Sequence, residues 1–392
     1  MVNLTLFAQI ISKLDRQKFN FYVKTKNTDK HNKGYNSWTH LVSMLFCQFA
    51  KSQSVRDISN GLRSATGNLN HLGIQKAPSK STISYQNERR DFNLFRDYYY
   101  YLFNRLGQQP GFKRVNFRIK SKILLLDSTT ISLCLSLFDW AKYKTTKGAV
   151  KMHTLLDYDG GLPTYVNITD GKTADNKGAA DIPLTKDSVI VADRFYSDFA
   201  LLNNWDSIGV KFVVRHKENL NYKVKRRRHV DKIRYPEIRS DETIELTGAK
   251  TMLKYPKRLR RVVVFNEEHK MEIELITNQM TWSVATICDL YKARWQIEIF
   301  FRDIKQCLNI KSFIGTSQNA VMIQIWTALI TILMLKALKA MAKYKWYLSN
   351  LVAFIRLNIF VKIDLNTWLD NPFQDPKKPP ETSLLYIQGD LF

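Results

Sequence analysis

Apolar positions recur at helical spacing through the first third of the chain. Leu41, Leu45 and Phe49, then Val55, Ile58 and Leu62, predict helix over Trp38–Leu62, broken in two at Ser52–Val55. Ala77-Pro78-Ser79-Lys80 follows, a proline with hydroxyls of helix-start type, and predicts a helix to about Leu106. From Lys122 the period changes. Ile123–Leu126 is a short buried-strand run ending at Asp127, and Ile131–Leu137 alternates less cleanly. Val150–Asp157 and Leu162–Thr169 read as strands around the turn Tyr158-Asp159-Gly160-Gly161. Ser188–Ala192 is another buried run, ending at Asp193. Phe199–Trp205 reads as helix and Val210–Val214 as strand, so this stretch is a mixed α/β unit.

Thr243–Leu246, Arg260–Phe265 and Met271–Thr277 are further strand candidates separated by turn signals. From Val284 the pattern is helical to about Tyr347. Its most apolar part, Ala320–Ala340, carries Gln324 and Lys336, and the unbroken run Ile325–Leu335 falls short of the ~20 residues of a bilayer span. It reads as a buried core helix, and no membrane partner is expected. The tail from Asn371-Pro372 to Pro379-Pro380 is proline-rich and expected to be extended. The chain thus divides into a helical basic unit, 1–115; an α/β core, 116–210 and 280–350; a β-rich basic insertion, 211–279; and a C-terminal segment with the proline-rich tail, 351–392.

Charge sharpens this picture. The 392 residues carry a net charge of +25. Residues 1–120 hold 20 Lys/Arg against 6 Asp/Glu, and Lys217–Arg261 holds 15 against 6, including Lys225-Arg226-Arg227-Arg228. Such an excess implies a polyanionic partner, above all nucleic acid. Arg89, Arg90 and Arg96 sit beside Phe92, Phe95 and Tyr98–Tyr100. Two readings stand for this region: a helix-turn-helix-like DNA reader with Arg89 and Arg90 at the DNA, and a basic helical bundle. The four cysteines, Cys47, Cys134, Cys288 and Cys307, form no C-x-x-C pair, and the N-terminus has no secretory pattern, so a reducing, cytoplasmic setting is expected. There is no P-loop, hence no nucleotide cofactor is expected, and there is no Gly-x-Ser-x-Gly elbow and no His-x-x-Arg pair.

Two apolar runs each end in aspartate: Leu126-Asp127-Ser128-Thr129 and Val191-Ala192-Asp193-Arg194. Singly, each reads as a turn or cap residue; together with a third carboxylate they could hold Mg²⁺ or Mn²⁺, which prefer oxygen ligands. The third candidate is on the predicted helix Asp289–Leu308. There Tyr291, Arg294, Glu298 and Lys305 fall within a stripe about 60° wide at ~100° per residue. Trp295, Ile297, Phe300 and Phe301 around them imply that the helix is largely buried, and a buried charged stripe needs partners. His153, in a predicted strand, is expected to be structural.

Tyr291-x2-Arg294-x3-Glu298-x6-Lys305 resembles the Y-x2-R-x3-E-x6-K signature of bacterial insertion-sequence DDE transposases. Asp127 and Asp193 resemble the first and second catalytic aspartates of that family, and Lys147–His153 with Asp157, Gly160 and Pro163 resembles the strand pair between them. The long gap from Asp193 to Glu298 is similar to that of members holding an inserted β domain. The resemblance spans nearly the whole chain. It implies a ribonuclease-H-like core, an inserted β-rich domain and an all-α N-terminal domain. It also implies Asp127, Asp193 and Glu298 as catalytic residues holding two Mg²⁺ ions (Mn²⁺ as substitute), with Tyr291, Arg294 and Lys305 on phosphates. Trp295 and Trp282 are candidates to stack on an unpaired base, beside an ordinary core role. Double-stranded DNA is the expected substrate, with a homodimer on two synapsed ends. Three functions stay open: a transposase, a DNA-binding protein on a repurposed transposase scaffold, and a non-transposing nuclease.

Overall fold

The computed structural model describes residues 3–107, 117–133, 138–144, 147–179, 182–216 and 219–373, apart from positions 33, 118, 269, 311 and 312. The proline-rich tail beyond residue 373 lies outside the described residues.

The N-terminal part is helical: α1 (Leu6–Ile11), α2 (Arg16–Thr25), α3 (Ser37–Ala50), α4 (Val55–Ser64), α5 (Lys80–Arg89) and α6 (Asn93–Gly107). The break expected at Ser52–Val55 is there. Lys51 ends α3 in the left-handed conformation, and Ser54 with Asp57 forms a capping box on α4. The helix expected to run from Ser79 to about Leu106 is instead two helices. Arg90 is extended, and the Asp91 carboxylate accepts from the Asn93 backbone and side chain, starting a new helix.

The strands and helices that follow are β1 (Ile123–Leu133), β2 (Lys142–Lys144), β3 (Lys147–Asp157), β4 (Leu162–Asp170), α7 (Asp175–Gly178), β5 (Val189–Ala192), α8 (Phe199–Ser207), β6 (Lys211–Arg215), β7 (Tyr222–Arg227), β8 (Ile238–Leu246), α9 (Ala249–Lys254), β9 (Leu259–Asn266) and β10 (Met271–Thr277). The chain then runs through α10 (Val284–Ala293), α11 (Trp295–Cys307), α12 (Gln318–Met341), α13 (Leu348–Leu357) and α14 (Leu365–Asp370).

The described strands form one mixed sheet. β4 and β2 flank β3, and the order continues β1, β5, β6, β10, β9, β8, β7. β1, β5 and β6 are parallel; the other pairings are antiparallel. Alternation sorts the side chains of the central strands. Leu125, Val189, Val191 and Val213 join the core under α10–α12, whereas Leu124, Leu126, Ile190, Ala192 and Val214 face α8. Burial on both faces explains why these strands read as continuous apolar runs. β6, at the start of the expected insertion, pairs in parallel with β5, and β10 pairs with β6, so β7–β10 extend the central sheet itself. The Lys225–Arg228 run, which carries no strand signal in sequence, lies largely in β7 at the sheet edge, with Lys223, Lys225, Arg226 and Arg227 exposed.

α12 is long and apolar enough to cross a membrane by composition, yet 89% of its most apolar 18-residue window is buried inside this protein, against α3, α5 and α6 among others. Each large apolar side chain so covered contributes about 1.5–3 kcal/mol. A buried amide network ties α3 to the end of α11. Gln48 accepts from the Asn309 N–H and donates to the Gln324 carbonyl, and Gln324 donates to the Asn309 carbonyl. The C-terminal segment closes onto α1, where the Leu6 and Phe7 N–H groups donate to the Val361 and Ile359 carbonyls.

Candidate active site

The site lies where β1 and β5 part. Their last paired residues are Leu126 and Ala192, so Asp127 and Asp193 follow side by side at the carboxyl end of a parallel pair. In open α/β sheets that is where ligands bind. Asp127 does not end its strand as the sequence suggests: β1 continues to Leu133 because it keeps pairing with β3. β5 does end, and Asp193 caps a 3₁₀ turn over Arg194–Tyr196 by accepting from the Phe195 N–H.

α10 and α11 bring the third carboxylate. The expected single helix Asp289–Leu308 is jointed at Arg294, which stays right-handed. The Arg294 and Ile297 N–H groups there bond three residues back rather than four, tightening the turn. The joint aims the guanidinium at the strand ends. Arg294 Nη1 lies 3.1 Å from Asp127 Oδ2, and Nη2 lies 2.5 Å from Glu298 Oε1. One guanidinium therefore bridges two of the three carboxylates, in the forked geometry that suits arginine. The guanidinium carbon also sits 5.7 Å from the Tyr291 ring centre.

Burial raises the Asp127 carboxyl to about 7; Asp193 and Glu298 push the same way, while Arg294 and the Ser128 N–H oppose. Burial also raises Asp193, against the Phe195 N–H and Arg294, with Asp175 adding to the rise. Two neighbouring carboxyls that resist ionisation favour a cation between them. The donor set is all oxygen, which suits Mg²⁺ or Mn²⁺. Among the described residues, however, no group of three or more His, Cys, Asp or Glu could hold a metal ion as placed. Arg294 explains this, since its guanidinium stands between Asp127 and Glu298. The carboxyl oxygens of Asp127, Asp193 and Glu298 are donors of the kind a hard cation takes, and Arg294 engages two of the three.

Of the other sequence candidates, Tyr291 and Lys305 are half-buried on α10 and α11. Trp295 is 57% exposed, so it is no part of the packing expected around the stripe; Ile297, Phe300, Phe301 and Ile304 supply that. Trp282 is half-buried, with its carbonyl accepting from Arg260. Arg89 is exposed and lies over the Tyr85 ring. Arg90 does not face DNA: it is 4% exposed and spends its donors on the Tyr35 and Asn36 carbonyls and on Asp29. His153 is buried in β3 with Nε2 on Thr169 Oγ1.

Sequence reasoning missed Asp175, Ser128 and Tyr196, which stand beside the two aspartates. An aspartate opening a four-residue helix in a loop looks like any helix-start residue. It also missed a cleft of about 540 Å³ next to Asp193, lined by Arg194, Phe195, Arg215, His216 and Arg261 together with Glu272 and Glu274.

Sheet and helices together define an α/β protein, with two aspartates side by side at the carboxyl end of a parallel strand pair. The chain belongs to the DDE transposase family of bacterial insertion sequences: the transposase DDE domain model matches residues 118–334, over half the chain. A second model, a domain of unknown function (DUF4372), matches residues 2–75. The transposase of insertion sequence element IS5377 from Geobacillus stearothermophilus is 29% identical over 70% of this chain and 72% of its own length. Transposase y4zB of Sinorhizobium fredii is 31% identical over 66% of this chain and 71% of its own. The transposase of element IS4SA from Synechocystis is 27% identical over 74% and 80%. Among solved structures, the piggyBac transposase synaptic complex with hairpin DNA aligns at TM-score 0.39 and 10% identity, covering 96% of this chain and 85% of that one.

Proposed function

We propose that this chain is the transposase of an insertion sequence, binding the inverted ends of its element and cutting and joining DNA strands at Asp127, Asp193 and Glu298. One observation carries the reading: two half-buried aspartates adjoin at the carboxyl end of a parallel strand pair, and one arginine ties the first of them to a helix carboxylate. The order β4-β3-β1-β5-β6, with β3 antiparallel and β5 and β6 parallel to β1, supports a ribonuclease-H-like core. On this reading β7–β10 are the inserted β domain, beginning after β6, and α1–α6 form the N-terminal DNA-binding domain.

Asp127, Asp193 and Glu298 would hold two divalent cations, Mg²⁺ or Mn²⁺. Bound there, the ions supply Lewis-acid activation of water and charge neutralisation at the leaving oxygen. The rest is done by side chains. Arg294, released from Glu298, grips a phosphate beside the scissile bond with its planar fork. Tyr291 and Lys305 extend the same face and hold neighbouring phosphates. Burial of Asp127 and Asp193 keeps bulk water from screening the charges. Exposed Arg89, the basic edge of β7 and exposed Trp295 contact the duplex away from the reacting bond, and two chains synapse two ends.

The test is nicking of DNA carrying the element's own ends, with and without Mg²⁺. The wild type should nick only with metal. Asp193→Asn should bind ends and leave them intact; nicking at wild-type rate by that variant would overturn the assignment.

A further inference from the structure

Asp175 opens α7 in the loop after β4, and nothing assigned so far uses it. Its Oδ1 accepts from Ser128 Oγ at 2.5 Å and lies 3.4 Å from Lys151 Nζ. Ser128 follows Asp127 on β1, and its backbone N–H donates to Asp127 Oδ1 at 2.7 Å. Two hydrogen bonds therefore link Asp175 to Asp127 through one serine, on the side of that carboxylate away from Arg294, which takes Oδ2. Lys151 reaches from β3 to the same loop, donating to the Thr173 carbonyl at 2.9 Å.

Two further features mark the place as built. Gly178, the last residue of α7, lies so close to the His153 ring that an added Cβ would collide with it, so the short helix is seated directly on β3. Beside it, the buried Tyr196 hydroxyl is turned to Ser128 and feels the charges of Asp127, Asp175 and Asp193, and His153 Nδ1 lies 3.8 Å from Asp175 Oδ1.

We propose that Asp175 is a positioning residue for Asp127: it holds Ser128, and the Ser128 N–H fixes Asp127 Oδ1 while Oδ2 stays turned toward Glu298. This rests on the reading of Asp127 as a catalytic carboxylate. The logic is that of outer partners around metal ligands, whose removal costs about 10–100-fold in affinity or activity. A bond to a backbone-linked serine is a stiff way to set an angle, because Ser128 is itself held in the β1–β3 ladder opposite His153.

The experiment compares single-turnover cleavage of pre-bound ends, Mn²⁺ binding by electron paramagnetic resonance without DNA, end binding and Tm. The variants are Asp175→Ala, Asp175→Asn, Ser128→Ala and the double alanine. Asp175→Ala and Ser128→Ala should each slow cleavage about 10–100-fold and weaken Mn²⁺ binding about tenfold, with end binding unchanged. Asp175→Asn keeps an oxygen acceptor for Ser128 and should return both readouts to within about threefold of wild type. The double alanine should be no worse than either single, since one bond is removed from both ends. Ser128→Ala tests the bond even where Asp175→Ala folds poorly. Wild-type cleavage and Mn²⁺ affinity in Ser128→Ala would overturn the proposal, as would an Asp175→Asn as impaired as the alanine. Asp127→Asn runs in parallel: if it cleaves normally, the active-site reading falls; if it is dead while Ser128→Ala is normal, only the role of Asp175 falls.

Discussion

Asp127→Asn should end cleavage and yet raise the stability of the metal-free protein at pH 8. The folded carboxyl ionises near 7 and its ordinary value is 3.8, chiefly because it is buried. A group whose pKa is raised by folding contributes stability that is full below about pH 4 and lost as pH rises through about 7. The difference of about three units corresponds to about 4 kcal/mol by ~1.4 kcal/mol per unit. That is an upper bound for the substitution, because asparagine also weakens the bond to Arg294 and leaves its charge less well paired. Half of it, about 2 kcal/mol, moves Tm by about 2–3 °C in a chain of this length. The assay is thermal unfolding of chelator-treated wild type and Asp127→Asn from pH 5 to pH 8. The gap in favour of the variant should widen from pH 5 to about pH 7 and then level off. Adding Mg²⁺ should then raise the Tm of the wild type and leave the variant nearly unmoved, since a ligand stabilises only the state that binds it. Parallel pH profiles for the two proteins would refute the reasoning, because they would mean that the buried carboxyl carries no ionisation cost.

The neighbouring arginines at the end of α5 should separate cleanly: Arg90→Ala should lose about 1–3 kcal/mol of stability in urea unfolding by removing a buried donor to Asp29 and to the Tyr35 and Asn36 carbonyls, while Arg89→Ala should fold normally and weaken end binding in gel-shift titrations. Binding of ends should fall steeply with salt, and neutralising Lys223, Lys225, Arg226 and Arg227 on β7 should flatten the slope of log affinity against log salt by up to about four, near one for each phosphate left without its cation; an unchanged slope would remove β7 from the interface. Arg294→Lys should keep the fold and slow single-turnover cleavage on the order of 100-fold, because an ammonium keeps the charge and loses the fork; a rate within about twofold of wild type would leave Arg294 as charge balance alone.

The elements most legible in sequence are those whose pattern reports burial on both faces or a stripe of one face. β5 and α12 announce themselves because the sheet and the helical layer enclose them. β7 does not, since an edge strand needs no apolar side chain on its open side and its outward positions carry cations. Asp127 and Asp193 are visible as aspartates after apolar runs, yet their adjacency is a fact of strand order, which no local window contains. Arg90 shows the opposite error. Beside Arg89 it reads as one more surface cation, and only the folded chain reveals that Tyr35 and Asn36 turn their carbonyls toward it. Asp175 is illegible for a related reason: its meaning comes from Ser128, 47 residues earlier in the chain.

The joint at Arg294 links these observations. Had α10 and α11 run on as one regular helix, Arg294 and Glu298 would make an ordinary pair four residues apart, worth about 0.2–0.5 kcal/mol. Tightened at that residue, the turn carries the guanidinium to Asp127 while it still holds Glu298. Two carboxylates from distant parts of the chain thereby share one guanidinium, which offsets part of the cost of burying them. On the function proposed, divalent cations held by these carboxylates would replace that shared charge and leave the fork for a phosphate. On that reading the same residue would serve both the pairing of buried carboxylates and the grip on substrate. This accounts for two facts at once: the three carboxylates do not enclose a metal site as they stand, and the arginine sits one helical turn before the glutamate on the face turned to the strand ends.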